Sequence, residues 1–247
     1  MSDGTGRRFE GVVVPEPEFA GDDGSADPRL AAALAAHAEG TAAAREVLAA
    51  LATARLMTPL VAVLDEEEVQ GGTGLRAEKS SHMASVSLLA ADGRRALLAF
   101  ASVASMAGWD PDARGVPAPA ARVAAAALEE GADAVMLDLV GPVPFVVEGP
   151  DLAALAHGRV HRAEADAGVR AAVARCAERV AGLLDVRAVD PAEHGEPDCD
   201  LLVLVRVEPG VDAASAADAL ARALLAEPVV AGAAPRGVAV GLLPDGA

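Results

Sequence analysis

The chain contains 247 residues, of which 53% are hydrophobic and 2% aromatic, and its formal net charge is −17 at pH 7. This length suits one large domain or two small ones and allows a sizeable apolar core. The acidic balance argues against nucleic acid and anionic membrane as main partners, because phosphate binding needs clustered basic side chains and those of this chain are scattered.

The cysteine count and the start of the sequence predict a cytoplasmic protein. Two cysteines, Cys176 and Cys199, are too few for a disulfide framework in a chain of this size, which indicates a reducing compartment. The N-terminus carries charges where a signal peptide needs an apolar run, and no segment reaches the roughly 20 apolar residues that cross a bilayer. We therefore expect no membrane partner.

Residues 1–26 are rich in glycine, proline and acidic residues and are predicted to form a disordered tail. Asp27 followed by Pro28 predicts a helix start, because Asp caps the first turn and Pro fits its first position. Helices are expected over residues 28–38 and 42–54. Leucine and valine recur in both at helical spacing, which marks one apolar side on each.

The following part of the chain predicts a mixed sheet flanked by helices. Apolar runs predict strands over residues 55–65, 83–90, 95–102, 133–140 and 144–149. Helices are predicted over residues 103–107, 119–130 and 150–157, with an irregular proline-containing run before the second. Asp92-Gly93 predicts a tight hairpin turn, because both residues tolerate a positive φ. These elements define a predicted N-terminal module of residues 27–157.

The charged stretch 159–168 marks a predicted boundary, after which the order of elements changes. Strands are predicted near 158–164 and over 185–190, 200–207 and 237–243, and helices over 168–184 and 212–226. This β-α-β-β-α-β order is the ferredoxin-like pattern and defines a predicted C-terminal module of residues 158–247. The chain is thus predicted to be an α/β protein of the α+β type.

The segment 74–84 has the densest chemistry, with Lys79 (the only lysine), Ser80 and His82 close together. A phosphate-binding loop needs glycine before the lysine, and Glu78 stands there instead. Ser80 and His82 share one face of a strand, but residues two apart lie roughly 6.5–7 Å from each other, too far for a hydrogen bond. A solvated strand entrance that serves as a contact surface is the favoured interpretation.

Metal ligands and a catalytic set are not predicted. His157 and His161 are four residues apart, but Gly158 interrupts any helix between them, and no cysteine or histidine pair supports them. Cys176 falls on the apolar stripe of its predicted helix and is expected to fill the core. We therefore predict no catalytic, cofactor-binding or metal-binding residue, and no cofactor.

Asp138 interrupts an otherwise apolar strand, where a buried carboxylate needs a partner. The structural interpretation is that it binds backbone N–H groups around Gly141, or an arginine such as Arg95. The functional alternative makes it a site acid at the carboxyl edge of the sheet. The structural interpretation is favoured.

Trp109 is the only tryptophan in a chain without tyrosine. Ser102 is predicted to cap the short helix before it, and Gly108 to end that helix in a left-handed conformation. Trp109 would then fold back on Val103 and Ala104. It becomes an interaction anchor if one face of the ring stays exposed.

Three stretches of the chain together resemble the SseB N-terminal domain, in the form found in high-GC Gram-positive bacteria. They are "ARLMTPLVAVLDE" (54–66), the segment 78–111 with Asp92-Gly93-Arg94, Phe100 and Trp109, and the segment 126–156 with "DLVGP" (138–142). The resemblance covers most of residues 27–157. The family name is associated with serine sensitivity and the domain with a type III secretion label, and neither implies a reaction, a cofactor or catalytic residues. The resemblance implies an adaptor more than an enzyme.

The sequence therefore predicts a non-enzymatic binding or regulatory protein with an unidentified protein partner. Its candidate interaction face combines six residues: Lys79, Ser80, His82, Arg94, Trp109 and Asp110. One alternative is an enzyme or small-molecule sensor with a cleft around Asp138, Lys79 and His82. Another is a structural protein that forms homo-oligomers through its sheet edges.

Overall fold

The computed structural model describes residues 19, 21–64, 81–195 and 199–243, and for 61–64 and 81–85 it describes the backbone alone. Helices and sheets both occur, which confirms the α/β class. The helices of the N-terminal module are α1 Pro28–Ala38, α2 Ala44–Leu51, α3 Val103–Trp109, α4 Ala120–Glu129 and α5 Gly149–Leu155. Its strands are β1 Arg55–Leu64, β2 Ser81–Ser85, β3 Ser87–Leu89, β4 Arg95–Ala99, β5 Arg114–Pro119, β6 Ala134–Leu137 and β7 Phe145–Glu148.

The strands of the N-terminal module form two sheets that backbone hydrogen bonds connect. One sheet has the order β2-β1-β5 and is antiparallel. The other has the order β3-β4-β6-β7, in which β4 and β6 run parallel and both outer pairs run antiparallel. Met57 of β1 and Phe100, just after β4, exchange backbone hydrogen bonds of 2.7 and 2.9 Å that join the two sheets.

The main core lies between one face of the four-stranded sheet and the helices α1, α2, α4 and α5. Leucine, valine and alanine form most of this core. Strand residues two apart point to the same face. Each strand therefore sends alternate side chains into this core: Leu97 and Ala99 from β4, Val135 and Leu137 from β6, Phe145 and Val147 from β7.

Local sequence signals placed most of these elements correctly. The Asp27 carboxylate accepts a 2.8 Å hydrogen bond from the Arg29 N–H, which confirms the predicted cap of α1. Gly93 has a φ of 86° in the turn between β3 and β4, which confirms the hairpin. The run predicted to be irregular instead contains β5, an edge strand, where prolines are tolerated because one side of the strand has no partner to bond.

Part of the predicted disordered tail is held in place. Residues 1–18 and 20 lie outside the described residues, but Arg55 binds the Asp22 carboxylate with two nitrogens and the Ser25 carbonyl at 2.8 Å. The Gly24 carbonyl accepts a 2.8 Å hydrogen bond from the Val103 N–H, at the start of α3. The prediction of disorder was therefore wrong for residues 21–26, because an arginine 33 positions away supplies their partner.

The C-terminal module has a three-stranded sheet covered by helices. Its elements are α6 Ala167–Ala177, β8 Leu183–Val189, β9 Leu201–Val207, α7 Ala213–Leu225, α8 Pro228–Ala233 and β10 Val238–Leu242. The sheet has the order β10-β9-β8. Cys176 is 1% exposed in the core between this sheet and the helices, as predicted, and burial raises the pKa of its thiol.

The ferredoxin-like order predicted for this module is not obtained. Residues 158–162 form no strand, and Ala163–Ala165 form a single 3-10 turn. β10 pairs directly and in parallel with β9, where the ferredoxin-like arrangement would place another strand between them. A side-chain contact fixes this segment instead: the Nε2 atom of His161 lies 2.7 Å from the Ala233 carbonyl oxygen.

Arginine–aspartate contacts connect the two modules. Arg236, before β10, binds Asp151 of α5 at 2.5 Å and also Asp200, and these two carboxylates are only 6% and 8% exposed. Arg45 of α2 binds Asp190, which follows β8 and is 8% exposed. The apolar cores of the two modules are separate, and the division of the chain at residue 157 stays a prediction about folding units.

Replacing Arg236 with methionine tests the first of these contacts. Asp151 and Asp200 would stay buried without their cation, and we expect the free energy of unfolding to fall by about 2–3 kcal/mol. Arg159→Met, at an exposed arginine, is the matched control and should change it by less than about 0.5 kcal/mol. Denaturant titration followed by circular dichroism measures both, and equal stability of the two variants would contradict the assignment.

The second contact predicts a pH dependence. Burial would raise the pKa of Asp190, but hydrogen bonds from Arg45 and Ala192 and the charges of Arg45 and Arg162 outweigh it and hold the pKa below its usual value. This stabilisation is therefore present at neutral pH and is lost as the pH falls from the unfolded value of about 3.9 through the folded pKa. Asp190→Asn should be less stable than the wild type at pH 7, and denaturant titrations should show the difference shrinking below about pH 4. A constant difference would contradict the pKa assignment.

Candidate functional site

The four-stranded sheet has a second face that carries apolar side chains as well. Leu98 of β4 lies opposite Met136 of β6, and Met136 lies opposite Val146 of β7, so these three side chains point away from the helix-covered core. Leu88 of β3 belongs to the same face. We call this surface the Trp109 face, defined by Leu88, Leu98, Met136, Val146, Met106 and Trp109.

Only one end of the Trp109 face is covered by a helix of the described residues. Met106 and Trp109 of α3 pack on Phe100, which is fully buried. Farther from α3, Val146 is 43% exposed, and Leu88 and Met136 are half-buried. A strand face turned toward solvent usually carries polar residues, so this partly exposed apolar surface is a candidate binding site.

Trp109 is placed differently from the prediction. Ser102 caps α3 through a 3.0 Å hydrogen bond from the Ser105 N–H, as expected, but the helix continues through Gly108 and includes Trp109. The indole packs on Phe100, with ring centroids 5.7 Å apart and planes tilted by 32°. The prediction of packing on Val103 was wrong, because the helix extends by two residues and the indole packs on Phe100, while Val103 is 41% exposed.

Arg94 lies at the opposite end of the same face. Its guanidinium donates to Asp92 at 2.8 Å and to Glu148 of β7 at 3.0 Å, and Glu148 shares the face with Val146. The hydrogen bond between Asp92 and Arg94 lowers the pKa of Asp92 and raises that of Arg94. Six residues of extended chain separate Arg94 from Phe100, which is about 20 Å. Arg94 and Trp109 therefore do not touch but mark the two ends of one surface.

Of the other predicted face residues with a described backbone, His82 lies away from this surface and Asp110 adjoins its α3 end. Lys79 and Ser80 lie outside the described residues. His82 pairs with Val63 of β1, six residues and about 20 Å along the strand from the Met57 bridge. Asp110 accepts a 2.9 Å hydrogen bond from the Asp112 N–H, so its carboxylate closes a local turn.

Asp138 stands at the carboxyl end of β6 and is 5% exposed. Its Oδ1 accepts a 3.0 Å hydrogen bond from the Ala101 N–H. Parallel pairing of β4 and β6 places these two strand ends side by side, which explains the partner. Its side-chain partner is thus neither an N–H near Gly141 nor Arg95, whose side chain binds the Glu130 carbonyl instead.

The backbone of Asp138 is unusual as well. Its φ is 51°, which makes it the one non-glycine residue with a positive φ in the described part of the chain. Aspartate and asparagine tolerate this left-handed conformation better than other residues with a side chain. The carboxylate therefore closes a strained strand end, in line with the structural interpretation.

The cleft required by the enzyme alternative is not assembled from described side chains. Asp138 is the member of its proposed triad whose side chain is described, and its carboxylate binds a backbone N–H. Two open grooves lie in the C-terminal module, and Asp138 lines neither. Within the described ranges, no three histidine, cysteine or acidic side chains are grouped to hold a metal ion. No helix of those ranges is long and apolar enough to cross a membrane.

A mixed sheet with helices on one face and a partly exposed apolar surface on the other defines the N-terminal module as an α/β module with a candidate binding face. The family model of the SseB protein N-terminal domain matches residues 30–154. Because the match covers half of the 247-residue chain, the chain belongs to the SseB family. No curated protein and no solved structure matches the chain.

The sequence pointed to the two ends of the Trp109 face and missed its middle. Leu88, Met136 and Val146 lie in runs that are apolar at consecutive positions. Such runs are typical of strands covered on both sides, so the sequence did not separate the exposed face from the core. One signal was available in "FVVE". A half-exposed edge strand should alternate apolar and polar residues, so the second apolar residue in a row, Val146, marks an apolar side chain on the exposed face.

Two substitutions at position 138 separate geometry from charge. Asp138→Asn keeps a side-chain oxygen for the Ala101 N–H and tolerates the positive φ, so the free energy of unfolding should fall by less than about 1 kcal/mol. Asp138→Ala loses both and should cost about 2–3 kcal/mol. Denaturant titrations measure the two values. An equal loss in both variants would show that the negative charge itself is required.

Proposed function

We propose that this SseB family member is a cytoplasmic, non-enzymatic binding protein that docks a partner protein on the Trp109 face. The observation that carries the proposal is the incomplete cover of an apolar sheet face beyond α3, where Val146 is 43% exposed and Leu88 and Met136 are half-buried beside the fully buried Leu98. An apolar sheet face is unfavourable to leave in water, and burying it against a partner removes that unfavourable free energy.

The composition of the face supports a protein partner. Its middle carries the half-buried Leu88 and Met136, and Trp109 lies at its α3 end. Methionine and tryptophan are enriched at protein interfaces, and methionine fills irregular gaps. Charged groups lie at both ends, with Arg94, Asp92 and Glu148 at one and Asp110 at the other. An apolar centre with a polar rim is the usual anatomy of a transient interface.

The expected partner presents an apolar ridge of its own. The apolar middle of the Trp109 face gives such a ridge its contact area, and Arg94 at the rim offers a charge-assisted contact to a carboxylate. Arg94 is 61% exposed, so its existing ion pairs are solvated and can be exchanged for a partner's group at small cost.

Two glutamate substitutions on opposite faces test the proposal. Val146→Glu places a charge on the Trp109 face, and Leu89→Glu places it on the other face, at a side chain that is 73% exposed. Affinity purification from the native cell with quantitative mass spectrometry should recover a protein with the wild type and with Leu89→Glu. Recovery should drop at least about tenfold with Val146→Glu, because a charge would be buried in the interface.

The recovered protein is then purified and titrated against the wild type. Trp109 is the only tryptophan and tyrosine is absent, so the intrinsic fluorescence of the chain reports on this face alone. Binding should shift the tryptophan emission to shorter wavelength as the indole loses contact with water. Equal recovery of the partner with both variants, or a complex that leaves the emission unchanged, would contradict docking on this face.

A further inference from the structure

β8 is an edge strand of the sheet in the C-terminal module. In the order β10-β9-β8, the strand Leu183–Val189 pairs with β9 on one side, and no described strand pairs with its other side. Backbone N–H and C=O groups along such an edge are a template for pairing with another strand. Leu184, near the start of β8, is 57% exposed.

A groove runs along this unpaired edge. It lies between β8 and α6 and is lined by Val173, Val186 and Val189, with Arg170 and Arg187 at its border. Arg170 is held by the carbonyl oxygens of Glu164 and Ala165, at 3.2 and 2.7 Å. The valines of the groove extend the apolar core of the module up to the unpaired edge of β8. A strand added at this edge would cover them.

The sequence of β8 is complementary to itself in one register. Two antiparallel strands related by a two-fold axis must place one residue opposite its own copy. With Val186 at the axis, Asp185 of each chain lies opposite Arg187 of the other. Both residues point to the same face, since they are two apart in the strand, and within one chain they already form a 2.9 Å ion pair.

The neighbouring two-fold registers are unfavourable. An axis at Asp185 sets two carboxylates opposite each other, and an axis at Arg187 does the same with two guanidinium groups. The register centred on Val186 instead forms a ring of four alternating charges from two chains.

We propose that two copies of this chain pair through β8, antiparallel and centred on Val186, to form a continuous six-stranded sheet. Each copy contributes three strands, and the edge strand of each is covered by the other. Charge complementarity at Asp185 and Arg187 selects a second copy as the occupant of this edge. The pairing is independent of the Trp109 face, which belongs to the other module.

Complementary charge variants test the pairing in the full-length protein. Sedimentation velocity over a concentration series should show the wild type approaching twice the 24.7 kDa chain mass. Asp185→Arg alone and Arg187→Asp alone each place like charges opposite one another twice per dimer, and each should raise the dissociation constant at least about tenfold. An equimolar mixture of the two variants restores opposite charges at every pair and should associate as the wild type does.

A control variant separates the position of the introduced charge from the charge itself. Arg179→Asp makes the same charge change at an exposed position beyond the end of α6 and should leave the association unchanged. Circular dichroism confirms that each variant folds, as expected for side chains that are 35% and 49% exposed. A wild type that stays monomeric throughout the series overturns the proposal. So does a dimer that both single variants retain, or a mixture that fails to associate.

Discussion

Arg236 extends from the C-terminal module into a site where two carboxylates, Asp151 and Asp200, are both shielded from water. A single planar guanidinium satisfies both, which the smaller ammonium group of a lysine does less well. The chain carries 37 acidic residues against 20 basic ones, so basic side chains are the scarcer partners in its ion pairs. Arginines at this site and at Asp190 stabilise the contact between the modules, together with the packing of α5 on α8.

Elements whose determinants are close in sequence were predictable. Asp27 caps α1, Ser102 caps α3 and Gly93 turns the β3–β4 hairpin, and each of these signals acts within a few residues. The errors concern features that distant residues decide. β5 exists because β1 pairs with it despite its prolines, and residues 21–26 are held by Arg55. A single sequence gives the propensity of a segment but not the partner that overrides it.

The candidate site shows the same difference between determinants that are close in sequence and those that are distant. The need of Asp138 for a partner was evident from its place in an apolar strand, but the Ala101 N–H becomes that partner only through parallel pairing of β4 with β6. Arg94 was recognised as a surface residue, while its contact with Glu148 spans 54 positions. The middle of the Trp109 face was missed because apolar runs do not show which of their two faces a helix covers.

The left-handed backbone of Asp138 also constrains Gly141, three residues later in the same turn. The Gly141 N–H donates a 2.8 Å hydrogen bond to the Asp138 carbonyl, and a Cβ at position 141 would lie 2.8 Å from the Cβ of Asp138. Real Cβ atoms do not approach so closely, so any larger residue at position 141 forces the strand end to move. We therefore expect the effects of substitutions at positions 138 and 141 on stability to be non-additive, because both act on the same turn.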